Sequence, residues 1–233
     1  MRSAFQVSRH PDVQIGPSDC DSIIPRLHQD RPTQGREPIV YSPSDSTAPM
    51  VGDNSPLGVA KRELALWGTW NNGQKMAAIR KYFGSVKYET KGEWKPWVPG
   101  DVCKIDNFKE CSSWCMAFVS FCCEASGKPL LNTWISPQGN SVNKSGFTSV
   151  SNCYKYYQGQ GKIQKEPKPG AIFLMSHRLK DGENLRWKHT GFVDYIVKTN
   201  PLVLQCIEGN ISRKLSNQRR ETTVQDIQGY LYI

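Results

Sequence analysis

Apolar residues recur at helical spacing through Leu57, Ala60, Leu64 and Trp67, directly after a Ser55-Pro56 pair. Ser55 is placed to cap a helix and Pro56 to open its first turn, and Gly68 ends the run, so the pattern predicts a helix here. A second helix is predicted over Gly73 to Phe83, with Met76, Ile79 and Phe83 on one side and Gly84 as terminator. Residues 85–110 mix Gly, Pro and Trp without a period and read as a long surface loop. Residues 112–126, SSWCMAFVSFCCEAS, form the most regular apolar pattern of the chain, and Gly127 and Pro129 close it. This predicts the central helix. A further short helix is predicted around Ser149 to Tyr157.

After Pro169-Gly170 the texture changes to that of strands: AIFLMS at 171–176, HTGFVDYIV at 189–197, LVLQCIEG at 202–209 and GYLYI at 229–233. Helices first and antiparallel strands after them make an α+β order.

Composition divides the chain in two. Up to Pro56 it holds eight of the fifteen prolines but only two of the twenty-four aromatic residues, Phe5 and Tyr41. Such a segment has too little apolar surface to offset its ordering entropy, so residues 1–55 are expected to form an extended arm beside a domain at 56–233. The arm carries five Arg and no Lys against seven acidic residues, a balance of −2, so of the overall +9 the domain carries +11. A basic domain suits anionic surroundings such as a phosphate-bearing cell wall, although a solubilising surface needs no partner. No Arg-rich run or aromatic-basic alternation marks a nucleic-acid groove.

A mean hydropathy of −0.55 and the lack of a long apolar run argue against a membrane-spanning segment. Residues 1–10, MRSAFQVSRH, are too polar for a secretory signal. A target outside the cytoplasm would therefore call for injection, lysis or a carrier particle.

The eight cysteines are Cys20, Cys103, Cys111, Cys115, Cys122, Cys123, Cys153 and Cys206. None forms a CxxC pair, which argues against a thiolate metal site, and no metal or other cofactor is expected. Buried thiols are favoured over a disulfide framework, which a domain of this size does not require.

With Ser112 as N-cap, Cys115 falls in the first turn of the central helix. There, unpaired backbone N–H groups and the helix dipole stabilise a thiolate, the form in which sulfur is a nucleophile. By position alone, Cys115 also belongs to a core stripe with Phe118, Val119 and Cys122. A nucleophile needs a base, and the four histidines are His10, His28, His177 and His189. Two lie in the arm. His189 opens a strand and is followed two residues later by Gly191, which lets another backbone or a substrate approach closely, whereas His177 is expected at a loop edge. Glu208 and Asn210 end the next strand and could orient the imidazole, or could simply form a polar turn. Trp114 and Trp187 are candidate substrate contacts, with core packing as the alternative.

CSSWCMAFVSFCCEASG at 111–127 resembles the nucleophile motif of the CHAP superfamily and its NlpC-type relatives. Pro169-Gly170-Ala171-Ile172, His189-Thr190-Gly191-Phe192-Val193 and Glu208-Gly209-Asn210 are similar to further motifs of CHAP amidases, in the same order. The resemblance covers roughly residues 56–233. It implies a papain-like fold with the nucleophile helix packed on a C-terminal antiparallel sheet. It further implies Cys115 as nucleophile, His189 as general base and acid, Glu208 as orienting group and Asn210 as an auxiliary polar residue. Peptidoglycan would be the substrate, cut at an amide bond.

The chain departs from the pattern in having Pro-Gly-Ala where the family usually has Pro-Gly-Asp, and in the pair Cys122-Cys123. The insert at 128–168 and the loop at 177–188 are expected to shape the substrate cleft. The lack of an export signal would suit an injected antibacterial effector, with a cognate immunity protein in its producer, or a phage-associated lysin, the arm docking on the secretion system or particle. A thiol hydrolase of an intracellular protein or small amide, and a non-enzymatic cell-wall binding module, are the readings from other classes.

Overall fold

The structure, a computed structural model, describes residues 52–90, 92–96, 113–135, 141–178, 185–212, 214–221 and 226–233. All of them fall in one compact unit, Thr33–Ile233. The arm expected at 1–55 lies, up to residue 51, outside the described residues.

Helix α1 (Pro56–Thr69) starts as its sequence dictates, with the Ser55 hydroxyl accepting from the Gly58 amide at 3.0 Å and Pro56 in the first turn. It runs one residue past Gly68. Helix α2 (Asn72–Gly84) opens on a reciprocal capping box between Asn71 and Gln74, both bonds 2.9 Å, and buries Met76, Ile79 and Phe83. Helix α3 (Cys115–Ala125) is buried on nearly every side, and α4 (Val150–Gly159) is capped by Ser149.

The loop expected at 85–110 is in part a hairpin. Strands β1 (Lys87–Thr90) and β2 (Glu93–Pro96) pair antiparallel there, and residues 97–112 lie outside the described residues. With β3 (Leu131–Ile135) and β4 (Ser141–Ser145) they form a four-stranded sheet in the order β2-β1-β4-β3. Its strands are short and largely polar, so they carry no period-two apolar signal; antiparallel backbone pairing defines them.

The larger sheet follows the expected strands more closely. It comprises β5 (Ile163–Gln164), β6 (Ile172–Arg178), β7 (Leu185–Thr199), β8 (Leu202–Ile211), β9 (Lys214–Glu221) and β10 (Ile227–Leu231). Their order is β5-β10-β6-β7-β8-β9, antiparallel throughout. Strand β9, KLSNQRRE, escaped the apolar pattern because it is an edge strand, where charged side chains discourage pairing with another chain.

Alternation along the strands sends Ile172, Leu174, Phe192, Ile207 and Leu231 into a core shared with α1, α2 and α3. Ala171, Phe173, Val193, Leu204, Cys206 and Tyr230 pack together in a second core. Each large side chain so buried is worth roughly 1.5–3 kcal/mol. The fold is thus α+β, with α3 seated on β7 and β8. Among the described residues no helix is long and apolar enough to cross a membrane.

Candidate active site

Cys115 is the first residue of α3, so its sulfur belongs to the end of the helix where the backbone N–H groups lack intrahelical partners. The cap expected from Ser112 lies outside the described residues. In the structure Trp114 occupies the cap position and makes no side-chain capping bond. The helix is anchored there by packing instead. Trp114 is wholly buried, with its ring centroid 5.4 Å from that of Trp67 and 5.8 Å from that of Tyr82. Gly209 on β8 admits this contact, because a Cβ there would stand 2.7 Å from the Trp114 ring and 2.9 Å from Phe118 Cβ. The middle residue of Glu208-Gly209-Asn210 therefore lets α3 approach the sheet, a role the sequence reading missed although the glycine between two polar residues was its visible sign.

The opposite partner comes from β7. His189 is 8% exposed, pairs in register with Met175, and has its ring 6.2 Å from that of Phe173. Its Nε2 lies 2.7 Å from a carboxylate oxygen of Glu208, which is itself fully buried. The contact is close, although the N–H is not well aligned on the oxygen. The Cys115 side chain is hydrogen-bonded to the same imidazole. With Nε2 facing Glu208, Nδ1 is the nitrogen left to serve the sulfur.

Gly191 creates the space for this arrangement. Extending the pairs Val193↔Cys206 and Phe192↔Ile207 by one residue sets Gly191 opposite Glu208. A Cβ at 191 would stand 2.8 Å from Glu208 Cγ and 2.6 Å from the Ile207 carbonyl oxygen. The close approach at this glycine is made by the neighbouring strand, by its Ile207 carbonyl and also by the Glu208 side chain, which was not expected there. Next to it, Thr190 is pinned by its hydroxyl donating to the Phe173 carbonyl at 2.7 Å, which fixes the backbone beside His189.

Burial alone would depress the imidazole, since it disfavours the charged ring. Hydrogen bonding to Cys115 and Glu208, and the charge of both, outweigh it and raise His189 to about 9. At neutral pH the ring holds its proton. A sulfur at a helix N-terminus, a protonated imidazole and a buried carboxylate make a set able to perform nucleophilic attack followed by proton delivery to a leaving group.

The other candidates fall differently. Asn210 belongs to β8, not to a turn, and lies where the β8–β9 register shifts between Glu208 and Ile211. Its φ of 67° is left-handed, a conformation Asn tolerates better than most residues, so the backbone supplies a reason for Asn at this point. Among the described residues no hydrogen bond joins its side chain to Cys115 or His189. Trp114 offers no face to a substrate and is core, which corrects its candidacy as a substrate contact. The Trp187 side chain lies outside the described residues. His177 pairs opposite Arg186, one residue before the end of β6. Of the cysteines, Cys115, Cys122, Cys123, Cys153 and Cys206 are buried thiols, and burial raises Cys122, Cys123 and Cys153 away from reactivity. Cys20, Cys103 and Cys111 lie outside the described residues. Among the described residues no group of His, Cys, Asp and Glu could hold a metal ion.

No protein-family model, curated protein or solved structure matches this chain.

Proposed function

We propose that this chain is a papain-like cysteine hydrolase of the CHAP and NlpC type, and that it cleaves an amide bond in peptidoglycan. The single observation that carries the reading is the convergence of Cys115, His189 and Glu208 from a helix and two strands distant in sequence. Side chains of a core stripe do not need a protonated imidazole and a buried carboxylate around a thiol; a nucleophile does.

In the proposed reaction the Cys115 sulfur attacks the amide carbonyl, giving a tetrahedral intermediate. His189 gives its proton to the departing amine, which leaves a thioester and a neutral ring. That ring then takes a proton from water as the water attacks the thioester, releasing the carboxylic acid and restoring the sulfur. Glu208 holds the imidazole in orientation and balances its charge throughout. Asn210 is an auxiliary polar residue in this scheme.

The +11 balance of residues 56–233 suits an anionic cell envelope. The same reading makes the protein an antibacterial effector or phage-associated lysin that acts in the periplasm or wall of a target bacterium. A cognate immunity protein and a carrier engaged through residues 1–55 would accompany it. Purified peptidoglycan incubated with the full chain should release new amino groups, and the Cys115→Ala protein should release none. Equal release by both proteins, or none by either, would overturn the proposal.

A further inference from the structure

Away from the thiol, a cavity of about 610 Å³ opens between the four-stranded sheet and the start of α4. It lies beside the far half of α3. The Ser120 hydroxyl donates to the Phe147 carbonyl at 2.9 Å, and Glu124 meets Lys87 at 2.6 Å. Glu124 is nine residues beyond Cys115, about 13 Å along the helix axis.

The walls have a consistent chemistry. Cross-strand pairing sets Lys95, Tyr88, Lys144 and Asn132 in one row across β2, β1, β4 and β3, and side chains of such a row share a face of the sheet. Tyr88, Lys144 and Asn132 of this row line the cavity, as do Lys155 and Tyr156 from α4 and Lys87 from β1. Among the described residues that line it none is acidic. Lys87 is matched by Glu124 behind the wall. Lys144 is partly buried, and that burial disfavours its charged form. Asn132 is held with its amide nitrogen donating to the carbonyls of Leu130 and Gly146, at 3.3 and 3.0 Å, which fixes the side chain at the cavity floor.

Lysines alone would make a charge patch. Two tyrosines with partly exposed rings and a fixed amide add flat apolar platforms and directional polar groups, the pairing that sugar rings require. The volume lies in the usual range of small-ligand sites, about 300–1,000 Å³, which suits a short run of sugar units rather than a nucleic-acid duplex.

We propose that this cavity is a second binding site, for a saccharide chain bearing acidic groups, carboxylate or phosphate, which it holds between the Lys144 and Lys155 ammonium groups and the Tyr88 and Tyr156 rings. The site is independent of the thiol chemistry and stands or falls apart from it.

The test uses the full chain and fluorescein-labelled probes: alginate for carboxylates, poly(glycerol phosphate) for phosphates, neutral dextran, polyglutamate of matched charge and a dT20 oligonucleotide. At least one acidic probe, alginate or poly(glycerol phosphate), should bind, and the tighter of the two identifies the acid. Lys144→Gln/Lys155→Gln and Tyr88→Leu/Tyr156→Leu should each weaken that binding about tenfold or more, with circular dichroism unchanged. The charge-matched control Lys165→Gln/Lys198→Gln, at exposed positions elsewhere, should leave it unaltered. Failure of both acidic probes to bind, equal loss in the control, or polyglutamate or dT20 binding as tightly as the better acidic probe would each overturn the proposal.

Discussion

Glu208 occupies space that exists only because residue 191 is glycine, since a Cβ there would stand 2.8 Å from Glu208 Cγ. The carboxylate facing His189 is therefore positioned by a missing side chain on the neighbouring strand. Gly191→Ala should displace Glu208 and the β8 backbone together, costing about 1–3 kcal/mol as an overpacked site does. Thermal unfolding followed by circular dichroism checks the stability. Amino-group release from peptidoglycan should fall further than that loss explains at temperatures where the variant is still folded.

The raised pKa of His189 sets a pH window. A histidine raised from its ordinary 6.5 to about 9 contributes stability that is fully present below 6.5 and is lost as pH rises through 9. Thermal stability should accordingly decline across this window. In Glu208→Gln the decline should be smaller and should fall at lower pH, because the ring has lost the charge opposite its Nε2. Hydrolysis should show the same shift on its alkaline limb, where the ring loses the proton that the leaving amine needs.

Trp114 is a core residue. Trp114→Ala should cost about 3–5 kcal/mol, the usual loss for a large buried aromatic. Trp114→Phe should cost far less, since among the described residues the indole N–H has no hydrogen-bond partner to lose. Denaturant titration of the two variants checks the order, and Trp114→Phe should keep most of its hydrolytic rate.

Asn210 separates a backbone role from a chemical one. At φ 67°, Asn210→Gly should leave the melting temperature nearly unchanged, whereas Asn210→Ala should lose about 1–2 kcal/mol. Both should slow hydrolysis if the amide acts as an auxiliary polar group. An Asn210→Gly protein with full activity would assign the residue to the backbone alone.

Legibility in the sequence followed the physics of each element. The helices announced themselves through caps and apolar spacing, as Ser55 with Pro56 and Ser149 do. The buried strands β6 to β8 were visible because both their faces are covered, which leaves nearly continuous apolar runs. The β1–β2 hairpin and β9 were not, because exposed or edge strands carry polar side chains and are defined by backbone pairing. Cys115, His189 and Glu208 were candidates from their places on elements, with core and turn alternatives beside them until the family resemblance singled them out, and their meeting depends on register. No local pattern reveals that Gly191 faces Glu208 or that Gly209 faces Trp114.

In the proposed reaction the Cys115 sulfur draws its reactivity from His189. The direct measurement is the rate of Cys115 alkylation by iodoacetamide across pH 5 to 10, located by peptide mass mapping, in the wild-type chain and in His189→Ala. Wild-type Cys115 should be labelled rapidly at neutral pH. The His189→Ala protein should be labelled more slowly there. Superimposable profiles for the two proteins would contradict that role of His189.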